Sequence, residues 1–174
     1  MVTIHIIEIE AGLEVHALRY GAEYWGAFVT VTWVANSSQI VNFFQSLPRQ
    51  DIIIICGHGN DRGLLLPELA EEIKDKYPYK DVIRPEDFKE FVRLEGNIII
   101  NSSCLGGSQK LAKIFLNRGA KYYIGANGYL DGNACLMYLL SFLYEYMRNG
   151  NNVEQAHYIS SKHEDDRRRF LLFS

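Results

Sequence analysis

Two side chains in this sequence have the chemistry of a nucleophile and of its base. His58 is flanked by a glycine on each side, and Cys104 is followed two residues later by a pair of glycines. A thiol attacks as the thiolate, and a neighbouring imidazole can take up its proton. Taken singly, such a cysteine is more often a small packed hydrophobe, and such a histidine is more often a surface residue. Their shared setting nevertheless predicts a base–nucleophile pair.

Each candidate directly follows a short run of isoleucines. The runs Ile52–Cys56 and 97–101 are too short for helices and are typical of strands buried on both faces of a parallel sheet. In open parallel sheets, ligands and catalytic groups collect beyond the carboxyl ends of the strands. Because the chain between the runs, with the predicted helix from Pro85, suffices for a crossover, we expect His58 and Cys104 to face each other across one crevice.

The rest of the chain alternates between predicted strands and helices. This alternation predicts one α/β domain over residues 1–174, a three-layer αβα sandwich with a mainly parallel sheet of about six strands. Residues 77–84 are the one stretch expected to form a long exposed loop. The other predicted strands are 3–8, 28–35, 121–124 and 170–173, and the predicted helices are 36–47, a segment from Pro85, 109–117, 131–149 and 153–160.

Composition restricts the classes of function. Of 174 residues, 48% are hydrophobic and 22% are charged, as in an ordinary globular domain. The net charge of −3 argues against recruitment of nucleic acid or acidic lipid. The three cysteines form no C-x-x-C pair, the amino terminus has no signal-peptide pattern, and no apolar run reaches membrane-spanning length. We therefore expect a cytoplasmic protein with no membrane association.

Further residues are candidates for contacts with a substrate. The backbone N–H groups of Gly59 and Cys104 could hold the oxyanion of an acyl-transfer intermediate. Ser102, Asp61 and Asn127 are candidate substrate-binding residues, and Gly106 and Gly107 have no side chains where a substrate backbone would pass. We expect the residue before the scissile bond to be basic rather than acidic, because a carboxylate such as Asp61 pairs well with a cation. The neighbouring Arg62 argues the other way.

The pattern of a hydrophobic strand ending in Gly57-His58-Gly59 and a second ending in Ser103-Cys104 with glycines behind resembles the caspase–gingipain superfamily of cysteine peptidases. That superfamily also includes the clostripain, legumain, separase and CHAT-type families. Downstream, residues 118–126 and 148–156 resemble the latter half of gingipain and CHAT-type domains, and 169–173 lie where those domains have their last strand. The resemblance covers roughly residue 51 to the carboxyl terminus.

The resemblance implies a caspase-like version of the predicted sandwich and a polypeptide substrate. It implies that His58 and Cys104 form a catalytic dyad with Gly59 beside the oxyanion, without a third triad member and without a cofactor. Basic-specific clostripain-type relatives carry an aspartate two positions before the cysteine, where this chain has Ser102. Specificity for arginine or lysine is therefore not implied. The chain has the dimensions of the bare catalytic core.

Several alternatives compete with the peptidase interpretation. A caspase-like scaffold used for binding or signalling could retain the dyad without using it. A class I glutaminase-like or deglycase-like enzyme would place its histidine after the cysteine, which is the reverse of this order. The glycines at 57, 59 and 63 suggest a dinucleotide loop, but Leu64-Leu-Leu-Pro67 follows where a helix is needed. A zinc site using Cys56 and His58 matches no common structural spacing.

Overall fold

A computed structural model of the protein describes residues 1–47 and 49–174. The strands are β1 (Thr3–Glu8), β2 (Phe28–Trp33), β3 (Ile52–Cys56), β4 (Gly59–Asn60), β5 (Gly63–Leu65), β6 (Val82–Ile83), β7 (Ile98–Asn101), β8 (Tyr122–Ala126) and β9 (Phe170–Phe173). The helices are α1 (Gly12–Tyr24), α2 (Ser37–Gln45), α3 (Glu71–Lys74), α4 (Phe88–Phe91), α5 (Gln109–Asn117), α6 (Gly132–Met147) and α7 (Val153–Ser161). Two 3₁₀ turns span Pro85–Asp87 and Asp166–Arg169.

Six strands form the central sheet in the order β2-β1-β3-β7-β8-β9. All neighbours in it run parallel except β9, which is antiparallel to β8. The two isoleucine-rich strands are adjacent and in register, with Ile52 opposite Ile98 and Ile55 opposite Asn101. The prediction that both strand ends reach the same edge of one mainly parallel sheet is thus confirmed.

Helices cover both faces of the sheet, which confirms the three-layer sandwich. One core cluster joins α1, α6 and α7 to one face, and the other joins α2, α4 and α5 to the opposite face. Within β3, Ile52 and Ile54 belong to the first cluster, and Ile53 and Ile55 belong to the second. Because side chains alternate across a strand, a strand between two apolar layers needs an apolar residue at every position, and β3 meets this with four isoleucines and a cysteine.

A small antiparallel sheet, β4-β5-β6, stands beside the main one and was not predicted from the sequence. Asn60 and Gly63 pair across a two-residue connection, and the Asn60 side chain accepts the N–H of Arg62 at 2.9 Å. A side chain at Gly63 would collide with the Ile83 carbonyl oxygen of β6, since a Cβ there would approach to 2.2 Å. Part of the predicted loop at 77–84 is therefore a strand of this sheet. No helix in the described ranges is long and apolar enough to cross a membrane.

Candidate active site

The ends of β3 and β7 bring the two candidate segments together. After the last paired residues, the Ser102 N–H donates to the Ile55 carbonyl at 2.9 Å, so the strands stay joined to the point where the cysteine loop begins. The Ser102 hydroxyl donates to the same carbonyl at 3.1 Å. Ser102, expected among the substrate contacts, is buried and uses its side chain to hold the two strands together.

The histidine segment meets the cysteine loop at Gly59. A Cβ added to Gly59 would lie 2.2 Å from the Cys104 carbonyl oxygen and 3.4 Å from Ser103 Oγ. Only glycine permits this approach of two backbones. His58, one residue earlier, is exposed, whereas Cys104 is half-buried. The absence of a side chain at Gly59 is what lets the segment carrying His58 run directly beside Cys104.

Two backbone N–H groups in this region bear on the suggested oxyanion site. The Cys104 N–H donates to no acceptor within the described ranges. His58 and Leu65 form a hydrogen-bonded pair, with the Leu65 N–H donating to the His58 carbonyl at 2.9 Å. Bonding alternates along an antiparallel ladder, so Gly59, which pairs with Leu64, directs its N–H away from β5. These are the two donors that the sequence suggested for an oxyanion.

A buried polar network fixes the loop that carries Cys104. The Asn101 side-chain oxygen accepts the Ser103 N–H at 3.1 Å and the Ser103 hydroxyl at 2.6 Å. The Asn101 amide donates to the Tyr123 hydroxyl at 3.2 Å, and that hydroxyl donates to the Gly106 carbonyl at 2.6 Å. Hydrogen bonds from Asn101 and Tyr123 therefore fix the loop on both sides of Cys104, so the sulfur has a defined position.

The backbone turns sharply just after the cysteine. The Gly106 N–H donates to the Ser103 carbonyl at 2.9 Å, and Leu105 lies in the left-handed region with φ of 60°. This conformation is unfavourable for a branched residue and is stabilised here by the Leu105 N–H, which donates to the Gly128 carbonyl at 2.9 Å. Strained backbone of this kind is common at functional sites.

The glycine pair after Cys104 has a different role from the expected one. The sequence suggested that Gly106 and Gly107 clear a path for the substrate backbone. Both are buried instead, and a Cβ on Gly107 would lie 2.4 Å from the Gly125 carbonyl oxygen. A Cβ on Gly106 would lie 2.7 Å from the side chain of Asn101. The glycines allow the loop to pack onto β8 and onto the polar network.

The other two thiols differ from Cys104 in their surroundings. Cys56 is fully buried at the end of β3, and burial raises the pKa of its thiol strongly. Burial likewise raises the pKa of the Cys135 thiol on α6 to about 12. Both are therefore protonated and shielded at neutral pH. Among the three cysteines, Cys104 is the one that a solvent-borne reagent can reach.

A buried carboxyl group that the sequence did not single out lies on the α1 face of the sheet. Glu14 interacts electrostatically with both Cys56 and Cys135, and its Oε1 is buried without a hydrogen-bond partner among the described residues. Burial raises the pKa of Glu14 to about 7. An acid in a first helical turn is normally solvated and interacts favourably with the helix dipole, so this burial is not predictable from the position of Glu14 in the sequence.

A cavity of about 300 Å³ opens beside Cys104 on the α5 face of the sheet. Asp61, at the tip of the β4–β5 hairpin, lines it together with Asn101 and Ser103. Asn127 follows β8, where its N–H donates to the Arg169 carbonyl at 2.9 Å, and it is not one of the residues that line this cavity. Of the predicted substrate contacts, Asp61 lies at the cavity and Asn127 does not.

The chain resembles known proteins in its three-dimensional structure but matches none of the compared families or curated proteins by sequence. No protein-family model matches the chain, and no curated protein matches it by sequence. Among solved structures, the Arg-specific cysteine proteinase gingipain R superposes with a TM-score of 0.65 over 99% of this chain, at 8% identity. The separase of Saccharomyces cerevisiae, solved with securin, superposes with a TM-score of 0.60 over 99% of this chain, at 12% identity.

This chain has a caspase-like fold. It spans 46% of the gingipain chain and 12% of the separase chain. At these identities the likeness establishes the caspase-like architecture, while the chemistry must be argued from this chain's own residues. Within the described ranges, no group of three or more His, Cys, Asp or Glu side chains is arranged to hold a metal ion.

Proposed function

We propose that this caspase-like chain is a cysteine peptidase, with Cys104 as nucleophile and His58 as general base. The observation that carries the proposal is the contact of the Gly59 backbone with the Cys104 backbone, whose N–H donates to no acceptor in the described ranges. It is supported by the fold shared with gingipain R and separase.

The reaction follows from these roles. His58 takes the thiol proton as Cys104 Sγ attacks the scissile carbonyl carbon, and the carbonyl oxygen becomes an oxyanion facing the N–H groups of Cys104 and Gly59. As the C–N bond breaks, the imidazolium gives its proton to the leaving amine. Water, deprotonated by the same imidazole, then hydrolyses the thioester and restores the thiol.

The second candidate is a caspase-like scaffold whose dyad is not used in catalysis. One observation favours it: His58 is exposed and is not one of the residues that line the cavity beside Cys104. A scaffold would bind a polypeptide without cleaving it. The two candidates therefore differ in a single measurable property, the appearance of new peptide termini.

Hydrolysis of a complex peptide mixture, followed by mass spectrometry of the new termini, tests the proposal. The wild-type chain is expected to cleave. His58→Ala should reduce the rate by about 10²- to 10⁴-fold, the usual contribution of a general base, and Cys104→Ala should abolish it. Cys135→Ala, which removes a buried thiol, is the matched control and should retain activity. Cleavage that survives Cys104→Ala would exclude the proposed nucleophile, and binding without any cleavage would support the scaffold.

A further inference from the structure

The cavity beside Cys104 has an apolar interior with a polar end at the nucleophile. Its polar end is the cysteine loop, where Asn101 and Ser103 already bond to each other. The other walls of the cavity are formed by the β4–β5 hairpin, by the 3₁₀ turn Pro85–Asp87 and by helices α4 and α5. The apolar lining residues are Leu64, Ile83, Pro85, Phe88, Leu105 and Leu111.

The size of the cavity restricts what it can hold. Its volume of about 300 Å³ lies at the lower end of the range of about 300–1,000 Å³ found for small-molecule sites. This suits one large side chain rather than a cofactor. Among the residues that line the cavity, Asp61 alone is charged, and it is exposed. The interior therefore favours an apolar group.

The position of the cavity relative to His58 indicates which side of the scissile bond it serves. The hairpin that forms one wall begins at Gly59, directly after His58, so this wall continues the segment that carries the imidazole. The leaving amine must be close to the imidazole in order to receive its proton. The residue that carries that amine is thus the one directed towards the hairpin.

We infer that this cavity is the subsite for the first residue on the leaving-group side of the scissile bond, and that it selects a large apolar side chain such as leucine or phenylalanine. The inference rests on the proposed peptidase function. It names the substrate class as peptides in which the new amino terminus is a large apolar residue.

Binding to the cavity can be measured without hydrolysis. Leucinamide and phenylalaninamide carry the amine and side chain of the leaving group but no scissile bond to the amine, and glycinamide lacks the side chain. Each is tested for protection of Cys104 against iodoacetamide. We expect leucinamide and phenylalaninamide to protect at concentrations at least about tenfold lower than glycinamide, since apolar pockets discriminate by this order.

Two variants of helix α5 provide the matched comparison. Leu111 lines the cavity, so Leu111→Phe should fill it and remove the advantage of leucinamide over glycinamide. Leu116 is on the same helix and lines a separate surface pocket near the carboxyl terminus, so Leu116→Phe should leave that advantage unchanged. If Leu111→Phe does not fold, Pro85→Glu puts a charge at the half-buried cavity wall and should have the same effect.

The possible results test the proposed subsite and the proposed peptidase activity independently of each other. Equal protection by glycinamide and leucinamide, or protection unaffected by Leu111→Phe and Pro85→Glu, would overturn the inference. The peptide mixture gives an independent reading: cleavage before large apolar residues supports the subsite, and cleavage without that preference contradicts it while leaving the peptidase intact. If leucinamide protects selectively but no peptide is hydrolysed, the cavity still binds large apolar groups, and the proposed peptidase activity is wrong.

Discussion

At the scale of single residues, Gly59 is where the histidine segment and the nucleophile meet. Gly59→Ala would bring a methyl group to 2.2 Å from the Cys104 carbonyl oxygen, so one of the two backbones must move. We expect a loss of about 1–3 kcal/mol in the free energy of unfolding, the usual cost of overpacking, together with a loss of peptidase activity. Urea denaturation and peptide hydrolysis measure the two effects.

Gly132→Ala is the matched control for that substitution. Gly132 is the first residue of α6, and a Cβ added there meets nothing within 4 Å. It should therefore keep activity and leave stability unchanged or raise it by up to about 1 kcal/mol, as alanine does in a helix. If Gly59→Ala behaved like Gly132→Ala, the close approach of the two segments would be wrong.

The placement of the two candidate segments at the ends of adjacent strands could be predicted from the sequence, but the packing roles of their neighbours could not. His58 and Cys104 were found because each follows a strand of isoleucines, a pattern with a direct geometric meaning. The packing roles of Ser102 and the glycine pair depend on what lies across the loop, namely the Ile55 carbonyl and strand β8. Such contacts between distant segments leave no local pattern in the sequence.

At the scale of elements, the loop after β7 depends on one hydroxyl group of β8. Tyr123→Phe removes the donor to the Gly106 carbonyl and the acceptor for the Asn101 amide, leaving two buried groups without that partner. Each unsatisfied buried group costs about 1–3 kcal/mol, so we expect at least that loss in the free energy of unfolding. Peptidase activity should fall as well, because the loop carrying Cys104 loses its support.

The neighbouring tyrosine on the same strand provides the control. The Tyr122 hydroxyl donates to Glu154 at the surface, at 2.7 Å. Tyr122→Phe should therefore cost no more than about 1 kcal/mol, because water can replace an exposed partner. Equal losses of stability and activity in both variants, measured in urea and with the peptide mixture, would contradict a specific role for the Tyr123 network.

Elements with strong local signals were predicted well, and those defined by distant contacts were not. Ser108 caps α5 as expected, with its hydroxyl accepting the Leu111 N–H at 3.3 Å, and the helix ends at Asn117. Helix α1 was missed because it begins at Gly12 and has no side-chain cap from its N-cap residue. The short strands β4 and β6 have two residues each, which is too few to show a period.

At the scale of the whole molecule, two buried ionisable groups make stability depend on pH in opposite directions. Burial raises the pKa of Glu14 from 4.5 to about 7, so the folded state holds a proton that the unfolded chain has lost, and stability falls as the pH rises through this window. Burial lowers the pKa of His5 from 6.5 to about 4, so its stabilising contribution is lost as the pH falls from 6.5 towards 4.

Comparing Glu14→Gln with the wild type isolates the first of these effects, since both chains contain His5. The stability of the variant relative to the wild type should increase between pH 5 and pH 8, by up to roughly 3 kcal/mol. Glu72→Gln, at an exposed position on α3, is the control and should show no such trend. A relative stability of Glu14→Gln that is constant with pH in urea denaturation would show that Glu14 is not buried as described.

The central claim, that His58 activates Cys104, is tested most directly by the rate at which each cysteine reacts with iodoacetamide at pH 7, read by peptide mapping. Cys104 is half-buried, whereas Cys56 and Cys135 are buried with raised pKa values. Cys104 should therefore react first, and His58→Ala should slow its labelling while leaving the circular dichroism unchanged, because His58 is exposed. If Cys104 reacts at the same rate without His58, or if Cys56 or Cys135 reacts first in the folded protein, the base–nucleophile pair does not exist.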